Sequence, residues 1–189
     1  MRWMTPTSAA TLRTVTHHEL TAEHLAGLRE LFNAEYLDSH GEWDPAQPYG
    51  YAGHDVHVIT LRGQQILGHV GWEQRTIEVG GAPVTVAGTG GVLVNPSVRG
   101  TGLGRRLMAH AADAMRREAD ISFGYLGCRE DVVLFYRACG WERIRATERY
   151  TGRDGRETFQ EPGPPLLVLP LRAGTTWPSG PVDLRGRCW

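Results

Sequence analysis

The pattern of hydrophobic and polar residues predicts four strands in the first half of the chain, and in the first of them, 12–16, the two kinds alternate with a period of two. Such alternation predicts strands, because successive side chains of a strand point to opposite faces. The segments are short at 12–16 and 56–61, and longer at 66–79 and 84–94. Glycine-containing turns join the last three, which therefore predict an antiparallel meander.

Other segments carry apolar residues at intervals of three and four, a spacing typical of amphipathic helices. This spacing predicts one helix from Thr21 to about His40 and a second over 102–119. A shorter helix is predicted over 131–139, where Gly140 follows as a C-terminal stop.

The second half of the chain adds short strands between and after these helices. An apolar run at 121–126 predicts a short strand, and 141–150 and 166–171 are candidate closing strands. Between the last two lies a polar segment, 151–165, which we interpret as a long loop. Strands mixed with helices in this order predict an α+β fold, with a mixed, mostly antiparallel central sheet flanked by helices.

A chain of 189 residues has room for one ordinary domain. We therefore expect a single domain over 1–189, with a flexible N-terminus over 1–10 and a C-terminal tail over 172–189. Hydrophobic residues make up 41% and charged residues 22%, which indicates a globular composition.

Charge and cysteine content narrow the function classes. The formal net charge of -1 argues against nucleic acid or an anionic membrane as a partner. All 20 basic residues are arginine, so chemistry that needs a lysine nucleophile is excluded. Three cysteines cannot build a disulfide framework, and no apolar run has the length of a signal peptide or membrane span, so we expect a cytoplasmic protein.

The most informative segment runs from the end of the fourth strand into the second helix. The strand stops at Asn95-Pro96, and glycines at 100, 102 and 104 lead into the helix. Glycine-rich backbone and a helix N-terminus together form an anion site, to which Arg99 adds a phosphate-binding side chain. Taken alone, a glycine turn that only caps a helix is an equally good interpretation.

The segment Arg99-Gly100-Thr101-Gly102-Leu103-Gly104 resembles the R/Q-x-x-G-x-G/A loop of the GCN5-related N-acetyltransferases (GNATs). The resemblance implies a GNAT-like fold and acetyl-coenzyme A as cosubstrate. It assigns the pyrophosphate to the loop residues Arg99, Gly100, Thr101, Gly102, Leu103 and Gly104. It assigns the pantetheine arm to the strand residues Val92, Leu93 and Val94.

A second segment, 134–141, resembles the L-Y-x-x-x-G-[FW] motif of the same superfamily. In those enzymes the tyrosine, here Tyr136, lies near the coenzyme sulfur and can protonate the leaving thiolate. Arg129 stands where many relatives have an asparagine that contacts the coenzyme.

The end of the chain resembles the aminoglycoside 2′-N-acetyltransferases, through Leu166–Leu171 and the D-L-R-G-R-C-W segment that ends at Trp189. In that family the C-terminal tryptophan carboxylate contacts amines of the acceptor. The tail also resembles, more faintly, that of the rhizobial nodulation acyltransferases, through Trp177 and Gly180, and we rank that family lower.

One departure from the aminoglycoside enzymes concerns the base. They have a glutamate just before the coenzyme-binding strand, which activates the amine through water. Gly90 occupies that position here. Either another residue takes the proton or the acceptor differs, and the aminocyclitol antibiotic kasugamycin, which carries a 2′ amine, is one such acceptor.

A polycationic acceptor needs carboxylates in its pocket, and we expect them from residues after the first helix and in the tail. The predicted acceptor-binding residues are Glu35, Asp38, Asp44, Asp183 and Trp189. The predicted catalytic residues, as the two family resemblances imply, are Tyr136 and Trp189. Trp43, Tyr49 and Tyr51 are candidates for stacking on sugar faces.

The sequence thus predicts an acetyl-CoA-dependent N-acetyltransferase that modifies an aminoglycoside or aminocyclitol and so confers resistance. Two alternatives stay open: acetylation of a protein N-terminus or lysine, and a non-catalytic acetyl-CoA sensor. We expect no metal, because His54 and His57 would face opposite ways if both lay on a strand. The superfamily resemblance also admits a homodimer.

Overall fold

A computed structural model describes residues 9–189, so residues 1–8 of the predicted flexible N-terminus lie outside the described part. The helices are α1 (Ala22–His40), α2 (Leu103–Arg117) and α3 (Val133–Ala138). The strands are β1 (Thr11–Thr16), β2 (Val56–Arg62), β3 (Gln65–Val79), β4 (Ala82–Val94), β5 (Phe123–Gly127), β6 (Glu142–Ile144), β7 (Glu148–Thr151), β8 (Glu157–Gln160), β9 (Leu166–Pro170) and β10 (Val182–Arg187). Among these helices none has both the length and the apolar character needed to cross a membrane.

All ten strands join one sheet, whose main order is β6-β9-β5-β4-β3-β10-β7-β8. The long strand β3 pairs with β2 along its first half and with β10 near its end, and β1 pairs with β2. Only the β4–β5 and β7–β10 pairings are parallel. The α+β prediction with a mixed, mostly antiparallel sheet is therefore confirmed.

Helices cover both faces of the sheet. Alternate residues of a strand point to opposite faces, so neighbouring residues of one strand contact different helices. On β2, Val58 belongs to a core cluster that contains Leu107 of α2. Its neighbour Ile59 belongs to a different cluster, which contains Leu28 and Phe32 of α1. Helices α1 and α2 therefore sit on opposite faces.

The first helix begins and ends where its sequence indicates. The Thr21 hydroxyl accepts a hydrogen bond from the His24 backbone N–H at 3.2 Å, which caps the N-terminus. Gly41 follows the helix with φ of +80°, a conformation that favours glycine.

Two predictions for the second half were wrong. The segment 141–150 is not one strand: β6 pairs with β9, whereas β7 pairs with β10 and β8 on the other side of the sheet. The segment 151–165 is not only a loop, since β8 folds back on β7 as a hairpin. The chain leaves one part of the sheet after β6 and joins another part at β7. The hydrophobic pattern of a segment does not show where along it the pairing partner changes.

The C-terminal tail also contains a strand that the sequence analysis missed. Strand β10 inserts between β3 and β7, and Val182 and Leu184 are completely or almost completely buried. The Arg75 guanidinium donates to the backbone oxygens of Leu184 and Arg187, at 3.2 and 2.7 Å. The tail is thereby a structural part of the sheet, and its course sets the position of Trp189.

We predict that Leu184→Ala destabilises the protein by about 2–5 kcal/mol, because it leaves a cavity in a buried cluster. Phe159→Ala is the matched control, since Phe159 is 65% exposed and its loss should change the stability by no more than about 0.5 kcal/mol. Urea unfolding of both variants checks this. Equal midpoints would contradict the placement of β10 in the core.

Candidate functional site

A bulge in β4 defines the centre of the candidate site. His69 of β3 pairs with Leu93 and Gly71 pairs with Gly90, so β4 has one residue more than β3 between these pairs. Gly91, inside the bulge, has φ of +57°, which a residue without Cβ adopts readily. The bulge changes the direction in which the end of β4 leaves the sheet.

On its other side, β4 separates from its neighbour at the same place. It pairs with β5 only over Val86–Gly88, so the backbone of 90–94 has no β5 partner. Unpaired strand groups in a sheet gap are available to a ligand. A groove of ≈ 670 Å³ lies here, and Val92, Leu93 and Val94 line it.

The glycine-rich segment closes one end of this coenzyme groove. Gly100 and Gly102 have φ of +77° and +80°, and an added Cβ at either would point into open space. Gly102 is the N-cap of α2, whose first N–H groups have no partner within the helix. Gly100, Gly102, Leu103 and Gly104 line the groove, so this geometry fits the predicted anion site.

The Arg99 side chain lies at the edge of the groove, where two hydrogen bonds fix its position. Its Nε donates to the Val94 carbonyl at 2.9 Å, and its Nη2 donates to Glu35 at 2.8 Å. The predicted loop residue Thr101 does not line the groove; its hydroxyl donates to the Val98 carbonyl at 2.7 Å and stabilises the turn.

Tyr136 of α3 faces the same groove. It is 8% exposed, and burial raises the pKa of its phenol, so the group is protonated at neutral pH. A protonated phenol in this position is able to donate to a thiolate, the role that the superfamily resemblance implies. Arg129 lines both this groove and a second cavity on the far side of the sheet gap.

The second cavity, of ≈ 690 Å³, is the candidate acceptor cavity. Tyr51, Tyr125, Tyr150 and Trp189 give it an aromatic lining, and residues of the β7–β8 hairpin form one wall. The buried Glu148 accepts a hydrogen bond from the Tyr125 hydroxyl at 2.5 Å. Burial raises the pKa of the Glu148 carboxyl.

Trp189 fills the space beside β4. A Cβ added to Gly88 would lie 1.9 Å from the Trp189 ring, and a Cβ added to Gly90 would lie 2.9 Å from the Trp189 backbone carbon. The indole Nε1 donates to Glu73 at 2.7 Å, and the Arg75 guanidinium lies 4.2 Å from the ring centroid. Two glycines of β4 thus provide the space in which the last residue of the chain packs.

The predicted acidic acceptor site is not assembled. Glu35 faces the coenzyme groove, and Asp183 pairs with Arg149 in a separate surface depression. Asp44 accepts from the Ala46 N–H at 2.9 Å, and neither it nor Asp38 lines the acceptor cavity. The positions of carboxylates in loops and at helix ends depend on the course of the backbone in three dimensions, which their spacing in the sequence does not predict.

The predicted stacking residues divide in the same way. Trp43 is 2% exposed and stacks on Phe32 at 5.1 Å, so it belongs to the core. Tyr49 packs edge-on against Phe32, whereas Tyr51 lines the acceptor cavity.

Sequence reasoning also missed a buried group of histidines beside the β4 bulge. His54 precedes β2 instead of lying on it, so the argument that it faces away from His57 was wrong. The rings of His54, His57 and His69 have centroids 5.2–5.8 Å apart. His69 is buried and hydrogen-bonded.

Three of the histidines form a hydrogen-bonded chain that ends on the bulge. The nitrogen pairs His17 Nδ1–His57 Nε2 and His57 Nδ1–His69 Nε2 are 3.1 and 2.9 Å apart, and His69 Nδ1 is 2.7 Å from the Gly91 carbonyl. If each ring donates from Nδ1, every link is satisfied by neutral rings. His57, His69 and His54 also lie close enough together to bind a divalent cation, and the absence of a metal stays a prediction.

Comparisons with solved structures define the class of protein. Escherichia coli ElaA matches with a TM-score of 0.62 and 16% identity, over 85% of this chain and 99% of its own. The E. coli GNAT family N-acetyltransferase YhbS, in complex with CoA, matches with a TM-score of 0.58 and 18% identity, over 99% of both chains. The catalytic domain of the Tetrahymena GCN5 histone acetyltransferase, also with coenzyme A, matches with a TM-score of 0.57 and 15% identity, over 88% and 95%. The protein therefore has the GNAT fold.

The family is narrower than this class. The model of the family Nodulation protein A (NodA) matches residues 7–187, and the chain belongs to that family. The GNAT prediction is thereby confirmed. The order in which the sequence analysis ranked the two tail resemblances was wrong, because the family match favours the nodulation proteins and no finding confirms the aminoglycoside 2′-N-acetyltransferases.

We predict that Arg99→Ala weakens the binding of coenzyme A about 10-fold or more, since it removes a charged hydrogen-bond donor at the groove. Arg106→Ala is the control, because Arg106 is exposed on α2 and does not line the groove. Titration calorimetry measures both. Equal affinities of the two variants would contradict the assignment of the groove.

The buried histidines predict an acid-sensitive fold. Burial lowers the pKa of His54, His57 and His69 to about 3, whereas in the unfolded chain it is near 6.5. Between these values the unfolded state binds more protons, so stability is complete above pH 7 and falls as the pH decreases. The loss should reach up to about 1.4 kcal/mol per pH unit for each histidine.

Urea unfolding between pH 7 and 5, before most carboxylates titrate, measures this slope. The variant His54→Gln has one buried imidazole fewer and should show a shallower slope. A stability that is constant from pH 7 to 5 would be inconsistent with three neutral buried rings.

Proposed function

We propose that this protein is an acyl-CoA-dependent N-acyltransferase, with acetyl-CoA as donor, that acylates the amine of an amino sugar. The single observation that carries the proposal is the pair of cavities on either side of the β4–β5 gap. One has the features of a coenzyme groove, the other has an aromatic lining, and Arg129 borders both.

The donor side is supported by the unpaired end of β4 and by the glycine turn. The strand end at 92–94 has no β5 partner, so its backbone groups on that side, apart from the Val94 carbonyl that Arg99 occupies, can pair with the amide groups of a pantetheine arm. The N-terminus of α2 and Arg99 supply N–H donors and positive charge for a diphosphate.

The acceptor side is supported by the shape and lining of the cavity. Tyrosine and tryptophan rings suit the apolar faces of a sugar, while Glu148 and backbone groups suit its polar edges. The β7–β8 hairpin walls the cavity, which favours a small acceptor over the open groove that a protein substrate needs.

Charge distinguishes between amino sugars. The acids that line the cavity, Glu148 and Asp154, are matched by Arg129 and Arg153. Apart from the C-terminal carboxylate of Trp189, a polycationic aminoglycoside would meet no excess of carboxylates, so a sugar with one or few amines fits better. The antibiotics predicted from the sequence, kasugamycin among them, form a second acceptor class, with which the resistance role is associated. The position of Trp189 in the wall of this cavity supports that class.

The reaction follows from this placement. The neutral amine attacks the thioester carbonyl carbon, the C–N bond forms, and the negative charge on oxygen meets backbone N–H donors at the end of β4. The C–S bond then breaks, and the Tyr136 phenol donates a proton to the thiolate. Holding both substrates in adjoining cavities supplies much of the rate by proximity.

A thiol-release assay with acetyl-CoA and a longer acyl-CoA tests the proposal against glucosamine, kasugamycin, aminoglycosides and lysine peptides. We expect turnover with amino sugars, and a fall in kcat of about 100-fold in Tyr136→Phe with coenzyme affinity unchanged. Tyr150→Phe, which removes a hydroxyl from the acceptor cavity, is the matched control and should affect KM more than kcat.

Turnover of lysine peptides alone would replace the amino-sugar acceptor with a protein. Tight coenzyme binding without turnover of any amine would instead support the sensor alternative and overturn the proposal.

A further inference from the structure

The candidate reaction centre lacks a proton acceptor at the expected position. The coenzyme groove begins at Val92, and Trp189 packs over Gly88 and Gly90, so the donor and acceptor sides meet at the bulge. An amine that attacks there must lose a proton. Gly90, where the resembling aminoglycoside enzymes have a glutamate, has no side chain to accept it.

We propose that His54 takes the proton of the acceptor amine, directly or through one water, in place of a residue on β4. The inference rests on the proposed function. His54 Nε2 lies 3.1 Å from the position that a Cβ of Gly90 would occupy, so its ring fills the space into which a side chain at 90 would project.

Glycines on two strands make this position possible. A Cβ on Gly71 would lie 2.4 Å from the His54 ring, and one on Gly91 would lie 3.1 Å from its Cε1. The ring therefore packs directly on the backbone of β3 and β4, at the Gly71–Gly90 pair that borders the bulge.

His54 is also the member of the histidine group whose ring has no hydrogen-bond partner among residues 9–189. It is 6% exposed, and leaving a buried polar ring unsatisfied costs free energy. His57 and His69, by contrast, are fully engaged in the chain that ends at the Gly91 carbonyl. A ring without a protein partner, whose Nε2 lies beside Gly90, points to a substrate or water as its partner.

The surroundings keep this ring neutral. Its titratable neighbours are His57 on β2, His69 on β3, His17 after β1 and, across Gly90, the C-terminal carboxylate of Trp189, while β4 contributes only glycine backbone. Burial, with repulsion from His57 and His17, lowers the pKa of His54 to about 3. Its lone pair is thus free throughout the neutral range, and so low a pKa means that the ring takes a proton only from a donor much more acidic than a free ammonium.

The proton transfer balances with the step already described. After the C–N bond forms, the nitrogen is an ammonium next to an oxyanion-bearing carbon, which makes it far more acidic than a free ammonium. His54 takes one proton from it and Tyr136 gives one to the thiolate. His54 then releases its proton to solvent, and Tyr136 recovers one.

His54→Gln and His54→Ala test the role, with glucosamine or the best amine of the panel as acceptor. We expect kcat/KM to fall about 100-fold or more in both variants, with coenzyme A affinity within 2-fold of the wild type. Added imidazole should restore at least 10-fold of the activity of His54→Ala, because the ring leaves a cavity of its own shape. The control His110→Gln changes a histidine on α2 that hydrogen-bonds Thr14, and should leave kcat/KM unchanged.

The pH dependence gives a second readout that a structural role would not change. In the wild type, log kcat/KM should rise until the acceptor amine is neutral and then level off. In His54→Ala hydroxide replaces the base, so the rise should continue above that pH.

Several results would overturn the role of His54. These are near-wild-type kcat/KM in His54→Ala, a loss that imidazole does not restore, or a parallel loss of coenzyme affinity. A stoichiometric zinc ion that His54→Ala fails to retain would assign the histidines to a metal site instead. If the wild type itself turns over no amine while binding coenzyme A, the proposed function fails and not this step alone.

Discussion

The interruption of strand β4 is the constraint on which the candidate site depends. A sheet normally satisfies every backbone group of an inner strand, and β4 gives up that pairing beyond Gly88 on the β5 side. On the β3 side the bulge at Gly91 bends the strand away, so its end leads toward the glycine turn and α2. One departure from ladder geometry thus creates both the gap and the two cavities that meet in it.

The glycines of β4 have distinct consequences along this interruption. Gly88 and Gly90 admit the ring and backbone of Trp189, while Gly91 adopts the bulge conformation and accepts a hydrogen bond from His69. A side chain at any of them would displace an aromatic residue or a histidine from the centre. The space that these glycines leave is occupied by groups from elsewhere, namely His54 from the segment before β2 and Trp189 from the segment after β10.

Local patterns predicted most of the fold up to residue 139, including the Thr21 cap and the glycine turn. They failed where long-range pairing decides the structure. The segment 141–150 divides between two edges of the sheet, and β10 is a strand only because β3 and β7 provide partners on both sides. The glycine loop was predictable because its residues are contiguous. The histidine group was not, since His54, His57 and His69 converge only when β2 pairs with β3 and the segment before it turns back over Gly71.

The central claim is that a coenzyme and an amine acceptor meet across the β4–β5 gap. A crystal structure with coenzyme A and an amino sugar tests it most directly. We expect the diphosphate on the backbone amides of 100–104, the sulfur between Tyr136 and the bulge, and the sugar amine beside Trp189 within reach of His54. A diphosphate bound away from the α2 N-terminus, or a sugar bound outside the aromatic cavity, would contradict it.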